Sequence, residues 1–458
     1  MQVPKLEKAI GIEVYGTASS GTGGVIREKL EDFIVEEVLV DGSRALADGI
    51  KSDVSRQVLG ASQVRNRYLL CVLVKRNWDT LIAVRNIARQ LGIDSGQVQF
   101  AGIKDAKAIT AQHVTIGDVS AEDLKNIHVK DIEIRPVGYV PNRLSAYYLF
   151  GNSFHIAIRS MNHRETTVRT RIAAALGELN AVGGAPNFFG HQRFGTIRPI
   201  THAVGKAIIK NNLQKAATIF LAMPSPHEHP SSKQARKELR DTQNYKRALQ
   251  NFPKQLRYER TMLQHLTQRP DDYTGAFRRL PIKLRELFVQ GYQSYLFNRF
   301  LSKRVESGLS LYKAEVGDYV VNVERSGLPS TTMYRTVSTA ADTEINDKIK
   351  KGSMRLAIPL VGLRQHLSQG IQGEMENRIL ESEDVFPKDF KVTALPEIRE
   401  KGRLRTAVTP LIDFSLEETA RTPSGINTKM AFTLQRGSYA TIILREIMKP
   451  KNIIKQGF

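Results

Sequence analysis

Apolar and polar positions alternate along the first half of the chain in short, strand-like runs. Residues 32–40 (Asp-Phe-Ile-Val-Glu-Glu-Val-Leu-Val) and 67–75 (Arg-Tyr-Leu-Leu-Cys-Val-Leu-Val-Lys) read as strands. The second is apolar on both faces, which suits the interior of a sheet. The carboxylates of Glu31, Asp32, Glu36 and Glu37 mark the first as an edge strand. A helix is predicted from Thr80 to Leu91. Asp79 or Thr80 can cap it, Leu81, Val84, Ala88 and Leu91 lie along one side, and Gly92 stops it. Strand patterns return near 97–100, 110–116, 131–137 and 153–159, and Val168 to Leu179 reads as a second helix. The alternation predicts an α+β fold on a large, mostly antiparallel sheet.

The pattern changes near residue 200. From Ala203 to Met223 it is helical, Ser231 to Gln250 is basic and helix-favouring, and Leu284 to Val305 is a long amphipathic helix. Shorter strand-like pieces follow at 317–323 and 355–362. The segment Phe432 to Met448, strand then helix, resembles the first part more than the middle. The expected organisation is a split domain, residues 1–204 and 406–458, interrupted by an inserted α+β domain over 205–405. No internal repeat or low-complexity tract is visible.

Composition narrows the partners. The 458 residues carry 67 Lys and Arg against 46 Asp and Glu, a formal charge of +21. Residues 1–100 hold 13 basic and 12 acidic side chains, whereas residues 201–300 hold 18 and 7, so +11 of the excess sits in the middle. Clustered positive charge points to a polyanion, RNA or DNA. No apolar run reaches the ~18 residues of a membrane span, and the first residues lack the apolar core of a secretory signal. The single Cys71 allows no intramolecular disulfide and no Cys-rich zinc cluster. The expected setting is cytoplasmic.

Several motifs invite a chemical reading and lose it. Gly21, Gly23 and Gly24 lack the Gly-Lys-Ser/Thr of a phosphate loop and read as a flexible turn. His227 and His229 have no third ligand at a usable spacing and read as loop residues, not a metal site. Neither paired acidic clusters nor a methyl-donor loop is present. Three stretches keep their interest. In Phe100 to Gln112 a strand ends in a Gly turn that presents Asp105 between Lys104 and Lys107; such an Asp is equally a turn cap or a reacting carboxylate. Asn187 to Gly195 packs three aromatics, two glycines and polar side chains into nine residues, which suits either base stacking or an aromatic packing corner. Glu31 to Glu37, after Arg27, says little alone.

Together, Arg27 with Glu31 to Glu37, Gly102 to Gln112 and Asn187 to Gly195 resemble the TruD family of pseudouridine synthases. The match continues at Gly151 to Phe154, Gln293 to Asn298 and Gly437 to Thr441, in order along nearly the whole chain. The resemblance implies a pseudouridine-synthase catalytic domain with a large insertion, the site lying in the cleft between them. It implies isomerisation of uridine at position thirteen in the D-arm of tRNA, with no cofactor and no metal, by a protein expected to be a monomer. By residue, it implies Asp105 as nucleophile, Arg27 as its ion partner and Lys104 as a second candidate cation. Phe33, Asn187, Phe189, Gln192 and Arg193 would bind the substrate. Phe189 has no hydroxyl, so the C5 proton must leave to another base, Asp105 among the candidates. A non-catalytic tRNA-binding protein of the same fold is the alternative.

Overall fold

The structure, a computed structural model, describes residues 2–48, 58–338 and 343–458. A helical turn, α1 (Lys5–Lys8), precedes an eight-stranded sheet. In chain order its first strands are β1 (Phe33–Leu39), β2 (Tyr68–Arg76), β3 (Val98–Phe100), β4 (Ile109–Gly117), β5 (Ile132–Val140) and β6 (Leu149–Met161). β2 pairs antiparallel with β4 and β5, and β1 pairs antiparallel with β6. The exception is β1 with β4, which run parallel with Ile34 opposite Ile109 and Glu36 opposite Ala111. β3 takes over on the far half of β4. The parallel pair brings the chain ahead of β1 and the turn ahead of β4 to the same end of the sheet.

β1 is therefore an interior strand, not the edge strand its charges predict. The three buried carboxylates have partners: Asp32 pairs with Arg159 at 2.6 Å, Glu37 with Lys104 at 2.6 Å, and Glu36 accepts from Ala47 N at 2.8 Å. A buried charge is tolerated where it is paired and hydrogen-bonded. The helix α2 (Thr80–Leu91) follows β2; the Asp79 side chain accepts from the amides of Leu81 and Ile82, and Gly92 ends it at φ 67°. Its buried face runs through Ala83, Val84, Ile87 and Ala88, and Leu81 stands 42% exposed. After β6, α3 (Glu165–Ala181) returns over the same face of the sheet as α2, where Val168, Ile172 and Leu179 join its core.

The short β7 (Ala185–Pro186) leads to the helices α4 (Thr201–Ile209), α5 (Leu213–Ala222), α6 (Pro230–Thr242), α7 (Tyr245–Asn251), α8 (Arg257–Gln268), α9 (Tyr273–Arg278) and α10 (Ile282–Glu306). The helical pattern from Ala203 to Met223 breaks in two because Asn211 turns left-handed (φ 53°) and Asn212 caps the next helix through Lys215 N. Gln243 (φ 52°) and Asn244 divide the basic stretch in the same way. A four-stranded sheet follows, in the order β11-β10-β8-β9, from β8 (Tyr319–Val323), β9 (Pro329–Thr336), β10 (Met354–Leu360) and β11 (Arg403–Thr406). It is interleaved with α11 (Thr343–Lys350) and α12 (Gly370–Ser382). β12 (Val408–Thr409) pairs with β7, and the chain then rejoins the first sheet. There the hairpin β13 (Ile412–Thr422) and β14 (Gly425–Gln435) adds to β6, followed by α13 (Ala440–Met448). One continuous core runs from Ile10, Phe188 and Phe194 through the helices to Ala407 and Ile442.

Candidate active site

Residues 101–108 join β3 to β4 and hold Asp105. The turn is tied down along its length. Gln112 donates from its side chain to Gly102 O at 3.1 Å, and the Thr80 hydroxyl accepts from Lys104 N at 3.2 Å. Asn77 N donates to Ala108 O at 3.1 Å, and the Lys75 ammonium donates to Asp105 O at 2.8 Å and Trp78 O at 2.7 Å. Lys104 lines the recess with Asp105, and its ammonium pairs with Glu37 at 2.6 Å. The cation under the turn is Lys75, which the sequence reading did not single out. Burial pushes the Lys75 ammonium down to about 8, with the charges of Asp105 and Asp79 opposing. Burial would raise the Glu37 carboxyl, but its contacts with His113 and Lys104 leave it below the usual range.

The Asp105 side chain is 41% exposed, and its Oδ2 lies 3.3 Å from Arg27 Nη2. Arg27 is placed from three sides: its guanidinium lies 4.0 Å over the Phe33 ring, its Nη1 donates to Gly457 O at 3.2 Å, and its backbone is left-handed at φ 57°. A non-glycine residue in that region is uncommon and carries strain that such surroundings must hold in place. Burial lowers the Arg27 pKa, and Asp105 restrains the shift. The pair opens onto a recess with an inner cavity of about 180 Å³, lined by Phe33, Gln192, Ser438 and Tyr439 among others. A wider outer cavity of about 660 Å³ includes Lys107, Arg198 and Phe458. Arg27, Asp105 and Gln192 line both.

The segment Asn187 to Gly195 forms the wall behind the recess. The Asn187 amide donates to Thr406 O at 3.2 Å, and its Oδ1 accepts from Arg405 at 2.6 Å, so both ends are engaged. Arg405 in turn lies 4.0 Å over the Phe189 ring, whose edge meets Phe297 and Tyr439. Phe189 is 6% exposed. Asn298 on α10 clamps its backbone, accepting from Phe189 N at 2.8 Å and donating to Phe189 O at 3.1 Å. A Cβ at Gly190 would come within 3.0 Å of the Tyr439 ring, so glycine lets that ring approach. Gln192 reaches the recess and accepts from Thr441 at 3.3 Å. Arg193 turns the other way, to Ser294 at 3.1 Å and Gln290 at 3.2 Å. Tyr439, the aromatic that lines the recess with Phe33, lies in the segment Gly437 to Thr441. The sequence singled that segment out only as a likeness.

The remaining motifs take structural places. His229 caps α6, its ring Nδ1 accepting from Ser231 N at 3.3 Å, and among the described residues no group of three or more potential ligands gathers. Gly21 passes against the end of α13, where a Cβ would meet Met448 O at 2.4 Å; the expected flexible turn is a packed strap. Arg236, in the basic stretch Ser231 to Gln250, is buried between Glu228 at 3.0 Å and Glu259 at 2.7 Å.

A profile of the tRNA pseudouridine synthase D (TruD) family matches residues 9–447. A protein of Methanosarcina mazei described as a probable tRNA pseudouridine synthase D is 36% identical over 450 residues, 98% of each chain. One of Methanopyrus kandleri, described alike, is 37% identical over 391 residues, 85% of this chain and 87% of the relative. The crystal structure of the Methanosarcina mazei TruD superposes with a TM-score of 0.81 at 36% identity, covering 98% of this chain and 99% of that one.

Proposed function

The chain belongs to the tRNA pseudouridine synthase D family, and from that premise we propose that it converts the uridine at position thirteen of the tRNA D-arm to pseudouridine. Asp105 is the attacking carboxylate of the proposal. The observation that carries it is one half-exposed carboxylate, 3.3 Å from a strained arginine, at the mouth of a recess with aromatic walls. Arg27 sets a positive charge 3.3 Å from the carboxylate that the proposal makes the nucleophile. The target must leave its stack to reach Asp105, and aromatic faces return part of the unstacking cost. In the reaction the N1–C1′ bond breaks, the C5–C1′ bond forms, a proton leaves C5 and one is taken up at N1. All atoms are retained and no electrons are exchanged, so no redox cofactor is required.

Within this proposal Phe33 and Gln192 touch the base, Phe189 supports Tyr439 from behind, and Asn187 and Arg193 hold the wall in place. Residues 1–204 with 406–458 form the catalytic unit and 205–405 the insertion, acting as a cytoplasmic monomer. Among the described residues no helix is long and apolar enough to cross a membrane. Asp105→Asn keeps the side-chain size and removes the ionisable carboxylate. We expect no pseudouridine on unmodified tRNA while tRNA binding persists; near-normal turnover would remove Asp105 from the mechanism. Activity should also survive exhaustive chelation when polyamine maintains the tRNA fold. Loss restored by a divalent ion, with the tRNA fold unchanged, would contradict the metal-free reading.

A further inference from the structure

Behind the Asp105 recess lies a second cavity of about 270 Å³, with Phe189 on its wall and Gln290 of α10 beside it. Four cations, Arg193, Arg399, Lys401 and Arg403, line it against one carboxylate, Glu400. Among the described residues none of the four has a carboxylate partner within 4.0 Å. Glu400 is engaged by the Gln290 amide at 2.9 Å, and Gln290 also accepts from Arg193 at 3.2 Å. Three cations therefore remain available: Arg399, Lys401 and Arg403, all exposed on the segment that enters β11. Unpaired cations around a concave site with an aromatic wall and fixed polar groups suit a nucleotide, whose phosphate takes the charge and whose base takes the wall.

The position of this cavity says which nucleotide. Gln192 and Arg193 are neighbours in sequence, yet Gln192 lines the Asp105 recess and Arg193 the second cavity. The Phe189 ring lies 6.2 Å from the Tyr439 ring, which belongs to the recess. One layer of side chains separates the two spaces. Resting on the uridine-isomerising reading above, we infer that the second cavity binds the nucleotide flanking the flipped uridine. Its phosphate sits among Arg399, Lys401 and Arg403, and its base lies against Phe189, Gln290 and Glu400. The target is then held by its neighbour as well as by itself.

The test uses tRNA substrates with an abasic nucleotide on either side of the target, and the variant K401Q/R403Q, whose altered side chains are exposed. With wild type, one of the two abasic substrates should react about tenfold or more slowly in single turnover at sub-saturating enzyme. In the variant the intact and abasic substrates should react alike. Equal rates for all three substrates with wild type would overturn the inference, as would an abasic penalty that persists undiminished in the variant. A second arm needs no catalysis: equilibrium dialysis of adenosine monophosphate and of inorganic phosphate. The nucleotide should bind more tightly than phosphate and lose that advantage in the variant. Equal binding of the two would reduce the cavity to a phosphate site and overturn the inference. A wild-type protein that modifies no RNA would defeat the proposed function alone, leaving the dialysis arm to decide this one.

Discussion

Arg27 and Asp105 stand 78 residues apart in sequence and meet through one guanidinium–carboxylate contact of 3.3 Å. The guanidinium serves both as charge partner and as cover for Phe33, so charge alone does not replace it. Arg27→Lys should lower kcat more than it raises KM, and single-turnover kinetics at saturating tRNA would show it; a pure KM effect would place Arg27 in RNA binding instead. Lys75 makes a pH prediction. Its ammonium bonds the Asp105 peptide and titrates near 8, so kcat should fall as pH rises through that value, and Lys75→Arg should move the limb upward. An unchanged alkaline limb in the variant would detach Lys75 from the reaction. The stability sign is the opposite one. Folding lowers this pKa from 10.5 to about 8, the unfolded chain binds more protons between those values, and Lys75 adds stability as pH rises across the window. The Gly-turn motif made Asp105 legible, but not the cations around it. Lys104 lines the same recess as Asp105, but its charge is paired with Glu37 at 2.6 Å. Lys75 closes an apolar run in the sequence, and only the pairing of β2 with β4 puts it under the turn.

The elements decide which residues become neighbours. Strand and helix positions were largely legible where the pattern is plain, as in the continuous apolar run of β2 and the one-sided apolar face of α2. The failures have physical causes. β1 looked like an edge because its carboxylates are charged, and nothing local announces that Arg159, Lys104 and Ala47 N satisfy them. The hairpin strand β13 passed unnoticed because it is a half-exposed edge with polar positions over most of its length. The parallel β1–β4 pair, on which the site depends, is a long-range fact that no local period encodes. α10 shows how an element serves the site from behind. Its Asn298 side chain is fully buried and makes three backbone bonds, to Phe189 N and O and to Ile10 O. Asn298→Ala leaves those groups without partners, each worth about 1–3 kcal/mol when buried. We expect a stability loss of about 2 kcal/mol or more, seen as a lower denaturant midpoint at unchanged slope. Activity should fall further than stability, because the Phe189 wall loosens. A variant as stable as the parent would show that the clamp is not needed to hold the wall.

At the scale of the whole molecule, the charge is distributed to suit an RNA larger than the site. Residues 201–300 carry +11 of the +21 formal charge, and residues 230–268, from α6 to α8, hold nine of their 18 basic side chains against three acidic ones. Not every cation there is available. Arg236 is buried with two carboxylates, Arg247 pairs with Glu238, and Arg240 with Asp241. Lys237, Lys246, Lys254 and Arg257 are exposed with no carboxylate partner within 4.0 Å among the described residues, which makes them the better candidates for phosphate contact. Contacts of this kind supply affinity and placement, and each neutralised phosphate releases condensed counterion. Binding of tRNA should therefore weaken steeply with salt. Replacing Lys246 and Lys254 with Gln should reduce the slope of log K against log salt by up to about one unit per lost contact. The same variant should keep its single-turnover rate at saturating tRNA, since neither lysine lines the recess at Asp105. A binding curve whose salt slope is unchanged would leave these lysines as a solvated helix face and move the phosphate track to another surface. A slope that drops together with the saturated rate would mean that the insertion positions the target uridine as well as gripping the RNA.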